Sequence, residues 1–159
     1  MKLAVISDSH SAYDELRKFL GFLKREGIHH LVHAGDFVTS DVSDLFAHHP
    51  EINCYIAIGN CDYGITLRNL QKMPHVMIDT VVYFELEGKH FAISHIDGVA
   101  ERALRDQPVD VFFHGHTHTT QIDNHQHPMT INPGSLRDGH GFILMDVPSL
   151  DLERRFLFD

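Results

Sequence analysis

At 159 residues, 43% of them hydrophobic and 22% charged, the chain has the length of one ordinary domain over 1–159 and can bury a core unaided. A formal charge of −9 argues against a sequence-independent grip on DNA or RNA, which depends on Lys and Arg neutralising phosphates. No run approaches the roughly 20 apolar residues that span a bilayer, and no basic and apolar leader opens the chain, so a cytoplasmic protein without a membrane partner is expected.

Residues 2–7 form a continuous apolar run, the pattern of a buried parallel strand. Leu16, Phe19, Leu20 and Leu23 recur at helical spacing and predict a helix over 13–26, stopped by Gly27. Leu31, Val32 and Ala34 predict a second strand running into Gly35-Asp36. Ser40 or Asp41 can cap a short helix that extends to about His48 and is closed by Pro50. Residues 52–58 are a third apolar strand ending at Gly59-Asn60, and a short helix from Ile65 to Met73 is stopped by Pro74.

The second half changes character. Residues 76–87 and 89–95 flank Gly88 and predict a hairpin with period-two alternation. A helix over 98–106 and a strand over 109–113 lead into Gly115. Residues 119–124, 128–132, 140–146 and 151–157 are expected to be antiparallel strands. The elements together imply two packed sheets with helices outside them.

Chemistry-bearing residues fall at the ends of these strands. Asp8 and His10 follow the first strand, Asp36 the second, Asn60 the third, His95 the hairpin strand, and His116 and His118 the strand at 109–113. Ligands of α/β sheets bind outside the carboxyl ends of strands, so five strand ends deliver metal-ligand side chains to one edge. Carboxylates, an amide oxygen and imidazoles without thiolate favour Mn, Fe, Ni, Co or Zn over Ca or Mg. A carboxylate such as Asp36 can bridge two cations, and two cations can clamp a phosphate and activate a bridging water. His33 and His114, close to this set, read as hydrogen-bonding neighbours of the ligands.

The ordered series Asp8-x-His10, Gly35-Asp36, Gly59-Asn60-x-Asp62, His95 and Gly115-His116-Thr117-His118, followed by Asn132-Pro133-Gly134-Ser135, resembles the calcineurin-like metallophosphoesterase superfamily. Within it the series is similar to the small single-domain prokaryotic phosphodiesterases. The resemblance implies an α/β (α+β) fold, a four-layer αββα sandwich of two mixed sheets flanked by helices. It implies two divalent transition-metal ions, Mn foremost, with Ni, Fe, Zn or Co as alternatives. One would lie on Asp8, His10, Asp36 and His118, the other on Asp36, Asn60, His95 and His116, with Asp36 bridging. The implied reaction is hydrolysis of small phosphodiesters by a metal-bridging hydroxide, with Asp36, Asn60, Cys61 and Asp62 as the candidate catalytic residues.

Two departures accompany the match. Cys61 stands where many relatives carry a proton-donating His, and it reads as inert, substrate-facing or an adventitious metal contact. His95 is followed by Ile96-Asp97-Gly98 where the family usually has Gly, which can bring Asp97 toward the site. Arg137 reads equally as a phosphate contact or a solvated side chain. The alternative function is a non-catalytic, metal-binding protein-interaction scaffold like the retromer subunit of this fold, and a nuclease ranks lower on charge. The sequence leaves a homo-oligomer open.

Overall fold

The computed structural model describes residues 1–38, 41–98, 104–105 and 107–158. In chain order the elements are β1 (Lys2–Ile6), α1 (Tyr13–Glu26), β2 (His30–His33), α2 (Val42–Ala47), β3 (Asn53–Ala57), α3 (Ile65–Gln71), β4 (Val76–Asp79) and β5 (Val81–Leu86). There follow β6 (Lys89–Ser94), β7 (Val111–Phe113), β8 (Gln121–Asp123), β9 (Met129–Asn132), α4 (Leu136–Gly139), β10 (Gly141–Asp146) and β11 (Leu152–Phe156).

Leu3, Ala4, Val5 and Ile6 are all fully buried, because each face of β1 meets a different core. Ala4 and Ile6 face the helices, packing with Leu16, Phe19 and Leu20 of α1 and Phe46 of α2. Leu3 and Val5 face the second sheet, packing with Phe91, Ile93, Val111 and Phe113. The apolar run at the start of the chain is thus a two-sided strand between two hydrophobic layers.

The first sheet has the order β11-β10-β1-β2-β3-β4, with β1 to β4 parallel, β10 antiparallel to β1 and β11 antiparallel to β10. The second has the order β5-β6-β7-β9-β8, with β6, β7 and β9 parallel and the edge strands antiparallel. On its outer face Leu104, in helical backbone, packs against Ala92, Val109 and Phe112. Helices, sheet and sheet stack in that order, with helical backbone at Leu104 and Arg105 on the far face, so two mixed sheets with helices form as expected.

α1 forms where expected, with Asp14 and Glu15 in its first turn and Lys24 and Arg25 in its last, complementing the helix dipole. Gly27 ends it in the left-handed region, with its N–H on Lys24 O and that of Ile28 on Leu23 O. The expected strand over 76–87 is instead two strands in different sheets. Asp79 Oδ1 accepts the Thr80 N–H at 2.6 Å, breaking the ladder so that β4 stays with β3 and β5 crosses to pair with β6. The four late strands are not all antiparallel, since β9 runs parallel to β7. The helix expected over 98–106, and Ser40 as a cap, lie largely outside the described residues. α2 ends at Ala47 with His48 as its C-cap, ahead of Pro50.

Candidate metal centre

The parallel strands of both sheets end at one edge, and the segments leaving them bend back over that edge. Asp8, His10, Asp36, His116 and His118 all have positive φ, between 42° and 72°. Left-handed backbone at a non-glycine residue costs about 1–3 kcal/mol and persists only where surroundings over-determine it. Here it turns each side chain off the strand direction and inward.

Seven expected ligands converge. His10 Nε2 and His118 Nε2 are 3.0 Å apart, and His118 Nε2 lies 3.2 Å from Asp8 Oδ1. His95 Nε2 lies 3.2 Å from Asp36 Oδ2, and His116 Nδ1 lies 3.1 Å from Asn60 Oδ1. Asp36 Oδ2 is also 3.9 Å from His10 Nε2, so its carboxylate stands between the two halves. Two nitrogens at about 2.0–2.1 Å from one cation and at right angles are about 3 Å apart, the spacing found here. Asp8-His10-His118 and Asp36-His95-His116 each gather their donor atoms within 4.8 Å, as does the set His10-Asp36-Cys61.

The hydrogen bonds around these groups fix which atom faces inward. Asp8 Oδ2 accepts from Ser7 Oγ and from the His116 N–H, while Oδ1 is buried with no hydrogen-bond partner. His95 Nδ1 is 2.7 Å from Ala34 O. A carbonyl only accepts, so Nδ1 carries the proton and the buried, unpartnered Nε2 presents its lone pair. His118 Nδ1 is 2.8 Å from Asp138 Oδ2, whose carboxyl the Arg137 guanidinium holds down at about 2. Asp138 is therefore the acceptor, and His118 Nε2 is the free donor atom. A buried carboxylate oxygen and a buried imidazole nitrogen 4.0 Å apart, neither with a hydrogen-bond partner, fit a centre that holds divalent cations.

Asp62 holds the loops instead of facing the donors. Its carboxylate accepts the N–H groups of Asp36, Phe37, Val38 and Gly59 at 2.8–3.0 Å. Burial raises its pKa, and the N–H bonds from Val38, Gly59 and Asp36 pull it back. Cys61 donates its backbone N–H to Asp36 Oδ1 at 3.0 Å; desolvation first, then the Asp36 charge, push its thiol up.

His33 is fully buried and lies between Ser9 Oγ, at 2.9 Å from Nε2, and the Gly35 N–H on Nδ1. Burial lowers its pKa to about 3, so it is a neutral brace between the Asp8 and Asp36 turns. His114 and Asp97 line a separate cavity of about 370 Å³ with Phe112 and Gln121. Arg137 binds Asp138 through Nε at 2.8 Å.

The Asn132-Pro133-Gly134-Ser135 segment ties the turns together. Asn132 Nδ2 donates to Gly115 O and Thr117 Oγ1, and Ser135 Oγ donates to Asp8 O. Gly59 and Gly115 are set by close approach. A Cβ on Gly59 would meet Asp36, and one on Gly115 would sit 2.7 Å from Asp8 Oδ2. Asp138 and Ser7 were not picked out from the sequence. Asp138, three residues after Ser135, left only its capping spacing as a signal, its N–H bonding Ser135 Oγ.

The family described as the calcineurin-like phosphoesterase superfamily domain matches residues 1–148. A phosphodiesterase of Methanocaldococcus jannaschii is 28% identical over 141 residues, covering 84% of this chain and 83% of that protein. Among solved structures, a novel archaeal phosphodiesterase superposes with a TM-score of 0.80 at 23% identity, over 98% of this chain and 99% of that one. Vacuolar protein sorting 29 of Cryptosporidium parvum superposes with a TM-score of 0.69 at 16% identity, over 97% and 95%. These two likenesses concern the fold. The family match spans β1 to β10 and every residue of the convergent edge, and the chain belongs to the calcineurin-like phosphoesterase superfamily.

Proposed function

We propose that this chain is a cytoplasmic, dinuclear metal-dependent phosphodiesterase acting on small phosphodiesters. The observation that carries the reading is the pair of buried donor atoms without hydrogen-bond partners, Asp8 Oδ1 and His95 Nε2, the first 3.2 Å from His118 Nε2 and the second 3.2 Å from Asp36 Oδ2. Asp8, His10 and His118 would hold one cation and Asn60, His95 and His116 the other, with Asp36 shared. Bound, the cations supply Lewis acidity toward the phosphoryl oxygens and acidify an attacking water.

The chain's own residues prepare that chemistry. Asp138 and Ala34 keep His118 and His95 in the tautomers that offer Nε2 inward. Asp62 locks the Asp36 and Asn60 turns against each other. Asn60 and His116 are exposed while Asp8, Asp36 and His95 form a buried floor, so the phosphate approaches from open solvent. Cys61 stands where many relatives carry a donating His, so the departing oxygen, open to solvent beside exposed Asn60 and His116, would take its proton from water.

The likeness to vacuolar protein sorting 29 supports a second reading, a protein-interaction scaffold. The 28% identical relative named a phosphodiesterase weighs against it, being more similar in sequence to this chain than the 16% identical sorting protein. The test is hydrolysis of bis(p-nitrophenyl) phosphate with Mn, Ni, Co or Zn. Turnover is expected with at least one metal and is lost in Asp36→Ala and His116→Ala. Full activity in either variant, or no hydrolysis with any metal, would overturn the reading.

A further inference from the structure

A cleft of about 240 Å³ opens beside His95 and Asn60, where the ends of β3 and β6 bring the two sheets together. Ile58, Thr80, Ser94 and Ile96 form the rest of its wall with Gly59. Ser94 donates its hydroxyl to Ile96 O at 2.6 Å, and the Ile58 N–H bonds Asp79 O at 2.9 Å. The Ser94 hydroxyl and the Ile58 N–H are thus engaged in holding the loops, and beside the exposed Thr80 the wall presents the hydrocarbon of Ile58 and of Ile96, 37% exposed. An apolar wall directly adjoins two candidate ligands of a centre otherwise built from carboxylates and imidazoles.

We propose that this cleft seats an uncharged apolar ester group of the substrate, about the size of one aromatic ring, and that Ile96 with Ile58 sets the preference. The inference rests on the phosphodiesterase reading above. A dry apolar cavity of about 150 Å³ takes up benzene, so this volume takes one ring with a substituent. The occupant is the ester group retained after hydrolysis. In the reaction a water oxygen bonds to phosphorus as the bond to the departing oxygen breaks, and the water's proton leaves with that oxygen. Negative charge develops on the departing oxygen, which needs water or a donor that hydrocarbon walls do not offer. The retained ester stays neutral throughout. A monoester places a charged oxygen at that position, against Ile58 and Ile96, which disfavours it.

Unsymmetrical diesters with a constant p-nitrophenolate leaving group and a varied second ester test this. For the unaltered chain kcat/KM for phenyl p-nitrophenyl phosphate is expected to exceed that for the methyl analogue by about tenfold, the scale of a filled apolar subsite. In Ile96→Gly the ratio is expected to collapse to within about twofold, chiefly through KM for the phenyl ester, with Ile96→Val between. Ile122→Ala, at an isoleucine exposed elsewhere, keeps the ratio. Diphenyl phosphate, added to chain labelled at isoleucine methyls, is expected to shift Ile58 and Ile96 and to spare buried Ile28. Hydrolysis with an unchanged ratio in Ile96→Gly, or with unmoved Ile58 and Ile96 methyls, would overturn the inference and leave the phosphodiesterase reading standing. Methyl shifts without hydrolysis of any phosphoester would sink that reading while the subsite stands.

Discussion

His118 has both ring nitrogens committed, Nδ1 to the Asp138 carboxylate and Nε2 to the space shared with His10 and Asp8. A carboxylate behind a ligating imidazole fixes its tautomer and orientation, and losing such a partner typically costs 10–100-fold in metal affinity. Asp138→Ala is therefore expected to weaken divalent-cation binding by about 10- to 100-fold with the fold intact, read by competition with a fluorescent chelator. Unchanged affinity would show that His118 is held by its turn alone. The positions of Asp8, His10, Asp36, Asn60, His95, His116 and His118 at one edge were legible, because a strand-end Asp, Asn or His is visible along the chain. Asp138 was not, because its partner lies twenty residues away and only α4 brings the two together. Arg137 resolves into a partner of that carboxylate.

Each strand-end turn works as a unit, and at Gly35, Gly59 and Gly115 there is no room for a side chain. Gly115 lies against Ser7, Asp8 and Ala34, so Gly115→Ala would push the Asp8 carboxylate out of place. A cost of about 1–3 kcal/mol in stability is expected from such overpacking. A larger relative loss of cation binding should accompany it, the first seen by urea denaturation and the second by titration with Mn. Binding at full strength in a folded variant would contradict the role given to Gly115. The glycines of Gly35-Asp36, Gly59-Asn60 and Gly115-His116 could be seen in the sequence as turn formers. That they face one another's ligands could not, since the atoms a Cβ would meet at Gly59 belong to Asp36. The break at Thr80 escaped for a related reason. Alternation reads through Asp79-Thr80, and only pairing partners decide that β4 and β5 belong to different sheets.

Across the whole molecule, the proposed cations act as a staple between the sheets. Asp8, His10, Asp36 and Asn60 come from the first sheet, and His95, His116 and His118 from the second. Binding to the folded state alone adds about 2.7 kcal/mol at a free concentration 100-fold above Kd, which for this size means a Tm higher by about 5–10 °C. Mn is expected to raise the melting temperature by that order, chelator to reverse it, and Asp8→Ala to abolish the response. No shift with any of Mn, Ni, Co or Zn would count against the centre. No helix among the described residues is long and apolar enough to cross a membrane. The sequence by itself determined the layer order of the fold and the identity of the convergent residues, because periodicity and residue type are local properties. Only the tertiary structure decided which oxygen of Asp8 and which nitrogen of His95 face inward, that Asp62 braces loops, and that Ile58 and Ile96 wall a cleft. Those depend on hydrogen-bond partners and burial, contributed by residues far apart along the chain.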